Sequence, residues 1–147
     1  MVNIQEHTTP EKMERYSFLW SEVRLVIAAV ALFLGGIPPL AYVPLPAGLM
    51  SSVLGLSWII SGLAAAYLLY RWWPTKTVFG GKNNRDVFAF FVMVVSGINL
   101  GLAGILARNI GMSLSSNKAV LVAVGILYLA AAYHLHKRWR ENGEKIF

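Results

Sequence analysis

The amino-acid sequence predicts an all-α integral membrane protein: four transmembrane helices, built as two tandem, parallel-related hairpins, with the N and C termini cytoplasmic. Three observations predict it. The 147 residues are 56% hydrophobic and 14% charged, with a mean hydropathy of +0.56, whereas charged residues make up about a quarter of a soluble domain. The apolar residues gather into four long runs flanked by basic and aromatic residues. The chain also repeats itself. Arg24-Leu25-Val26-Ile27-Ala28 leads to Gly36-Ile37 as Arg85-Asp86-Val87-Phe88-Ala89 leads to Gly97-Ile98, and Ser51-Ser52 and Gly62 are answered by Ser115-Ser116 and Gly125. A repeat of this length in an apolar chain reads as a duplicated hairpin. Duplicating a two-helix unit keeps its direction, so the copies are expected to share a pseudo-two-fold axis along the membrane normal.

The first run opens on Thr9-Pro10-Glu11: a plausible N-cap, a proline at the first helical position and an acid in the first turn. Met1 to Arg15 is polar, and no small-residue cleavage site follows the run, so a permanent helix is expected rather than a signal peptide. The helix emerges through Tyr16, Phe18 and Trp20 and enters lipid near Arg24. Only Leu25 to Ile37 then precede Pro38-Pro39, and thirteen helical residues span about 20 Å, short of a core of about 30 Å. The prolines are expected to free the carbonyls of Leu34 and Gly35. Alternatively the helix starts deeper, from Ser17, and Glu22 and Arg24 snorkel to the interface.

The second run extends from about Ala47 to Tyr70, the third from Val87 to Ala107 and the fourth from Ala119 to about Leu135. Each is long enough to cross. Hairpin one thus covers residues 10–73, a polar linker 74–85, hairpin two 86–140 and a tail 141–147. Eleven of the thirteen Lys and Arg residues lie in the N-terminal flank, the linker and the C-terminal tail, which places those regions in the cytoplasm. Trp20, Trp72, Trp73 and Trp139 fall on the same boundary, as an aromatic belt would.

Several chemistries are excluded or disfavoured. Without cysteine there is no disulfide, thiolate metal site or iron–sulfur cluster. His134 and His136 are two apart and face different ways on a helix, and His7 lies in the polar tail, so no metal or other cofactor is expected. The net charge of +6 is distributed around apolar runs, which points to anionic headgroups at the cytoplasmic face and not to nucleic acid. No nucleophile–base pair, phosphate loop or paired intramembrane carboxylate is visible, so an enzyme is not expected.

Polar and small residues inside the apolar runs supply the candidate sites. One reading builds a substrate or ion site from the Leu34 and Gly35 carbonyls, Asn99, Ser57 and Ser61, at the break in the first helix. The other makes these regions packing surfaces: Gly97, Gly101 and Gly104 form a G-x-x-x-G face, Gly36, Gly62 and Gly125 allow further close approach, and Asn99 bonds across to the freed carbonyls. Glu22, Arg24, Arg85 and Asp86 are either snorkelling anchors or two pairs across the pseudo-axis, Glu22–Arg85 and Asp86–Arg24.

Gly97-Ile98-Asn99-Leu100-Gly101-Leu102-Ala103-Gly104-Ile105, followed by Val124-Gly125-Ile126-Leu127-Tyr128-Leu129, resembles a family of small two-helix bacterial membrane proteins of unknown function. The resemblance covers about residues 86–135 and implies a bacterial membrane hairpin without naming an activity. In the first hairpin Pro38-Pro39 replaces the asparagine–glycine part. The leading expectation is a non-catalytic inner-membrane protein acting through helix packing, as a homo-oligomer or as a subunit of a complex with another membrane protein. A small channel or carrier is the second.

Overall fold

The computed structural model describes residues 8–107 and 109–147; His7 and Arg108 lie outside them. Four long helices dominate: α1 (Pro10–Phe33), α2 (Ala47–Trp72), α3 (Asn84–Leu106) and α5 (Lys118–Glu141), of 24, 26, 23 and 24 residues. A 3-10 turn (Pro39–Tyr42) lies between α1 and α2, and a short helix, α4 (Ile110–Leu114), lies between α3 and α5. Among the described residues the only β pairing is an isolated bridge from Val78 to Gly81.

The ends of the helices have local causes. Pro10 starts α1 with its preset φ, and Thr9 makes no side-chain cap. Asn83 and Asn117 cap α3 and α5 by accepting 2.9 Å bonds from the Arg85 and Ala119 amides. The C-terminus of α1 differs from the sequence expectation. Gly36 N donates to Ala31 O at 2.8 Å and Gly35 N to Leu32 O at 3.1 Å, with φ of +89° and +77° at the two glycines. This is a Schellman cap. The helix therefore finishes at Phe33, before the prolines act, and is not a transmembrane helix broken at Pro38. Continuous from Pro10, α1 is about 36 Å long and needs no short-helix explanation.

The paired glycines give a test. An alanine at φ near +80° costs about 1–2 kcal/mol. Gly35→Ala meets nothing within 4 Å and should show that backbone cost alone, whereas a Cβ on Gly36 would sit 2.6 Å from Met112 Cε. In thermal melts Gly36→Ala is expected to lose more than Gly35→Ala, with Met112→Ala recovering the difference. Equal losses would show that the Met112 contact carries nothing.

Around the bundle the neighbours run α1, α2, α3, α5 and back to α1; α1 and α3 also touch across the middle, and the broadest contact is α2 against α3. All four long helices are apolar and long enough to cross a membrane, yet only 22–44% of each apolar stretch is buried within the protein. Val26, Val30, Val53, Leu63, Val95 and Ile126 point outward. Water would not tolerate such a surface; lipid does.

The packed core occupies one end. Phe18, Phe79, Phe90, Leu135, Trp139 and Ile146 are buried together there, with the Phe18 ring 5.7 Å from Trp139 and 6.2 Å from Phe79. The tail closes this end: Phe79 N donates to Ile146 O at 2.7 Å, and Arg15 pairs with Glu144 at 2.9 Å. Trp139 is therefore buried rather than part of an aromatic belt. Trp72 stacks 6.2 Å from Phe90, and Trp73 stays exposed.

Candidate functional site: a cavity around Arg24

Small residues set the back of the site by letting α2 and α3 touch. A Cβ built on Gly101 would lie 2.6 Å from the Gly62 Cα, and one built on Gly62 would meet the Gly101 Cα at the same distance. Further along the seam a Cβ on Gly97 would lie 2.6 Å from Ala65 Cβ, and one on Gly104 would lie 3.2 Å from Gly55 O. Gly125 on α5 accommodates the Phe33 ring, which a Cβ there would approach to 2.7 Å. Gly62, Gly97, Gly101, Gly104 and Gly125 thus all meet neighbours inside one protomer.

Drawing α2 and α3 together leaves space on the other side of the bundle. A cavity of about 640 Å³ opens between α1, α2, α3 and α5, roofed by the two hairpin connections. Its wall is mostly apolar, from residues such as Ile27, Leu54, Trp58, Leu121 and Val124. Asn99 stands near the roof. It donates to Asn109 Oδ1 at 2.9 Å and accepts from the Gly111 amide at 3.2 Å, tying α3 to the start of α4. The expected bond from Asn99 to the Leu34 and Gly35 carbonyls is not formed, because its amide is committed to the connection that follows its own helix. Leu34 and Gly35 are exposed and outside the cavity wall, displaced by the cap that ends α1; Gly36 is in the wall. Ser57 and Ser61 line it. Their hydroxyls donate to Leu54 O at 2.8 Å and Ser57 O at 2.6 Å, and Ser61 Oγ accepts 3.0 Å from Trp20 Nε1. Both serine protons are thus spent on helix carbonyls.

Arg24 stands at the floor. It is 5% exposed, so the snorkelling anchor is a reading the structure overturns. Nη1 donates to Ser96 Oγ and Nη2 to Met93 O, each at 2.8 Å. Ser96 is ten residues beyond Asp86 on α3, or about 15 Å along the helix. No carboxylate pairs with this guanidinium among the described residues. Two of its five N–H donors are engaged, and Nε is buried without a partner.

The acids near it in sequence are paired elsewhere. Asp86, fully buried, accepts from Arg138 Nε and Nη2 at 3.1 Å and lies 2.7 Å from His134 Nε2. Glu22 lies 3.1 Å from His136 Nδ1, and Glu14 accepts from Arg71 at 3.0 Å. The pairs Asp86–Arg24 and Glu22–Arg85 do not form: α5 brings His134, His136 and Arg138 alongside both carboxylates, while Arg85 is exposed at the start of α3. Among the described residues no group of three His, Asp or Glu side chains is arranged to hold a metal ion.

Sequence reasoning placed Asn99, Ser57 and Ser61 in a site and missed Arg24 as its centre. The signal was present, since a charged residue in an apolar run is a functional candidate by default. Its nearness to Trp20 and Glu22 made it resemble a boundary residue. Comparison with protein-family models, curated proteins and solved structures found no match for this chain.

Proposed function

We propose that this chain is a multi-pass protein of the cell (inner) membrane that binds a small molecule in the interhelical cavity, as a carrier-type binding protein without catalytic activity. One observation carries the reading: a buried, carboxylate-free arginine faces a cavity of about 640 Å³ with an otherwise apolar wall. Binding sites have this composition, a mostly apolar enclosure with a few convergent polar groups. The position of Arg24 supports it further, because a lone cation buried within an apolar span is costly and is kept where it meets a ligand or a water-filled path.

The start of α1, the linker and the C-terminal tail share the basic end of the bundle, which the positive-inside rule assigns to the cytoplasm and to contact with anionic headgroups. The broad α2–α3 and α1–α5 contacts each join one hairpin to the other, as a pseudo-two-fold duplication would arrange them. The matched arginines have diverged, Arg24 buried and Arg85 exposed. The alternative of a packing-driven oligomer or complex subunit loses its sequence support, because the glycine faces that suggested it are filled by the protomer's own helices.

The test is to fill the cavity. Ala31 lines it, and Ala31→Phe places a ring in the open space. Native mass spectrometry after release from mild detergent should find one dodecyl-chain amphiphile per wild-type protomer and none on Ala31→Phe. Failure of every such probe to bind, or equal binding to both proteins, would overturn the reading.

A further inference from the structure

We infer that the ligand is a single-chain amphiphile with an anionic head, a carboxylate or phosphate, bound head-down on Arg24 with its chain along the apolar wall; the inference rests on the cavity reading above. The floor supplies donors and no competing anion. Arg24 retains one N–H on each of Nη1 and Nη2 after its bonds to Ser96 and Met93, Nε being buried, and the Ser96 hydroxyl, which accepts from Arg24, keeps its own proton to donate. Arg24 is the one charged residue among the described residues of the wall, and no Asp or Glu lines it. A cationic head would face unshielded repulsion. A neutral head would leave buried guanidinium donors unmatched, which is costly.

The wall and the opening select for the chain. Val23, Ile27, Leu114 and Val120 belong both to the wall and to the exposed apolar surface, at 55%, 50%, 82% and 43% exposure. The cavity thus opens beside exposed apolar residues of α1 and α5, where an amphiphile dissolved in the bilayer would meet it directly. A small hydrated anion has no reason to take that route, whereas an amphiphile already dissolved in the bilayer does. The volume of about 640 Å³ lies within the range of about 300–1,000 Å³ usual for sites that enclose one drug-sized molecule.

The experiment varies the head at constant chain length. Wild-type protein in mild detergent at pH 8 is titrated with dodecanoate, dodecanol, dodecylammonium and acetate, with native mass spectrometry and quenching of Trp20 and Trp58 as readouts. Dodecanoate is expected to bind one per protomer, about tenfold to a hundredfold more tightly than dodecanol, from the value of a charge-assisted hydrogen bond. Dodecylammonium should bind least, and acetate should not compete. Arg24→Gln should lower dodecanoate to the dodecanol level, and Ser96→Ala should weaken it several-fold. If Arg24→Gln does not fold, the wild-type head series still decides. Equal affinity for dodecanol and dodecanoate would overturn the anionic head and leave the cavity reading standing; no binding by any probe would overturn both. Competition by acetate at the same affinity would overturn the chain. Displacement of dodecanoate by lysophosphatidylglycerol, which has one chain, would identify a lipid phosphate as the source of the head, and its failure a free acid; either result supports the class.

Discussion

Gly101→Leu is expected to separate α2 from α3 and to abolish the folded bundle. The Gly101 Cβ position is 2.6 Å from the Gly62 Cα, so the added side chain meets backbone, which has no rotamer to change. Overpacking a core costs about 1–3 kcal/mol, and more when nothing can move aside; two long helices would have to part along the whole seam. Gly101→Ala should already lower the melting temperature in detergent, and Gly62→Ala should match it, because each glycine occupies the space the other's Cβ needs. Gly48→Ala, with nothing within 4 Å of its Cβ, is the control and should melt like wild type. Wild-type melting by Gly101→Leu with a changed oligomer size would return this glycine face to an intermolecular role.

Asp86→Ala is expected to be the most damaging single charge removal in the molecule. Its carboxylate is fully buried and gathers Arg138 and His134 from α5 onto the start of α3. Removing it leaves the buried site of the carboxylate unfilled and the part-exposed Arg138 guanidinium with only Glu141, at 3.2 Å, as an ionic partner, and breaking a pair whose acid is buried is costly. The loss in melting temperature should exceed that of Glu141→Gln several-fold, since Glu141 is an exposed partner on the same helix. In a double-mutant cycle, Arg138→Gln should cost much less once Asp86 is gone. Additive losses would show that the two residues act independently.

Much of the architecture was legible in residue order. The four runs, their basic flanks and the start of α2 at Ala47 follow from hydropathy and length alone. Helix α5 extends to Glu141, through the basic residues that end the fourth run, but the acidic partners that His134, His136 and Arg138 find on α3 and α1 are not displayed by local sequence. At Pro38-Pro39 two signals competed. The prolines are conspicuous breakers, but the glycines three and two positions earlier already end the helix by adopting positive φ. Asn99 lines the cavity, but its partners, Asn109 and Gly111, come from a connection whose path only the fold reveals.

Hydropathy and charge order are properties of the chain itself, so the sequence by itself determined that four helices suit a membrane and which ends of them are basic. Spacing also marked the glycine faces. Their choice of partner was decided by tertiary structure, since a glycine permits close approach without specifying what approaches. The same holds for Arg24. Its charge is local, but whether that charge meets water, a carboxylate or an open cavity depends on which helices surround it. Here α2 and α3 close on their glycines and α5 draws the nearby acids away, leaving the guanidinium to face the empty side of the bundle.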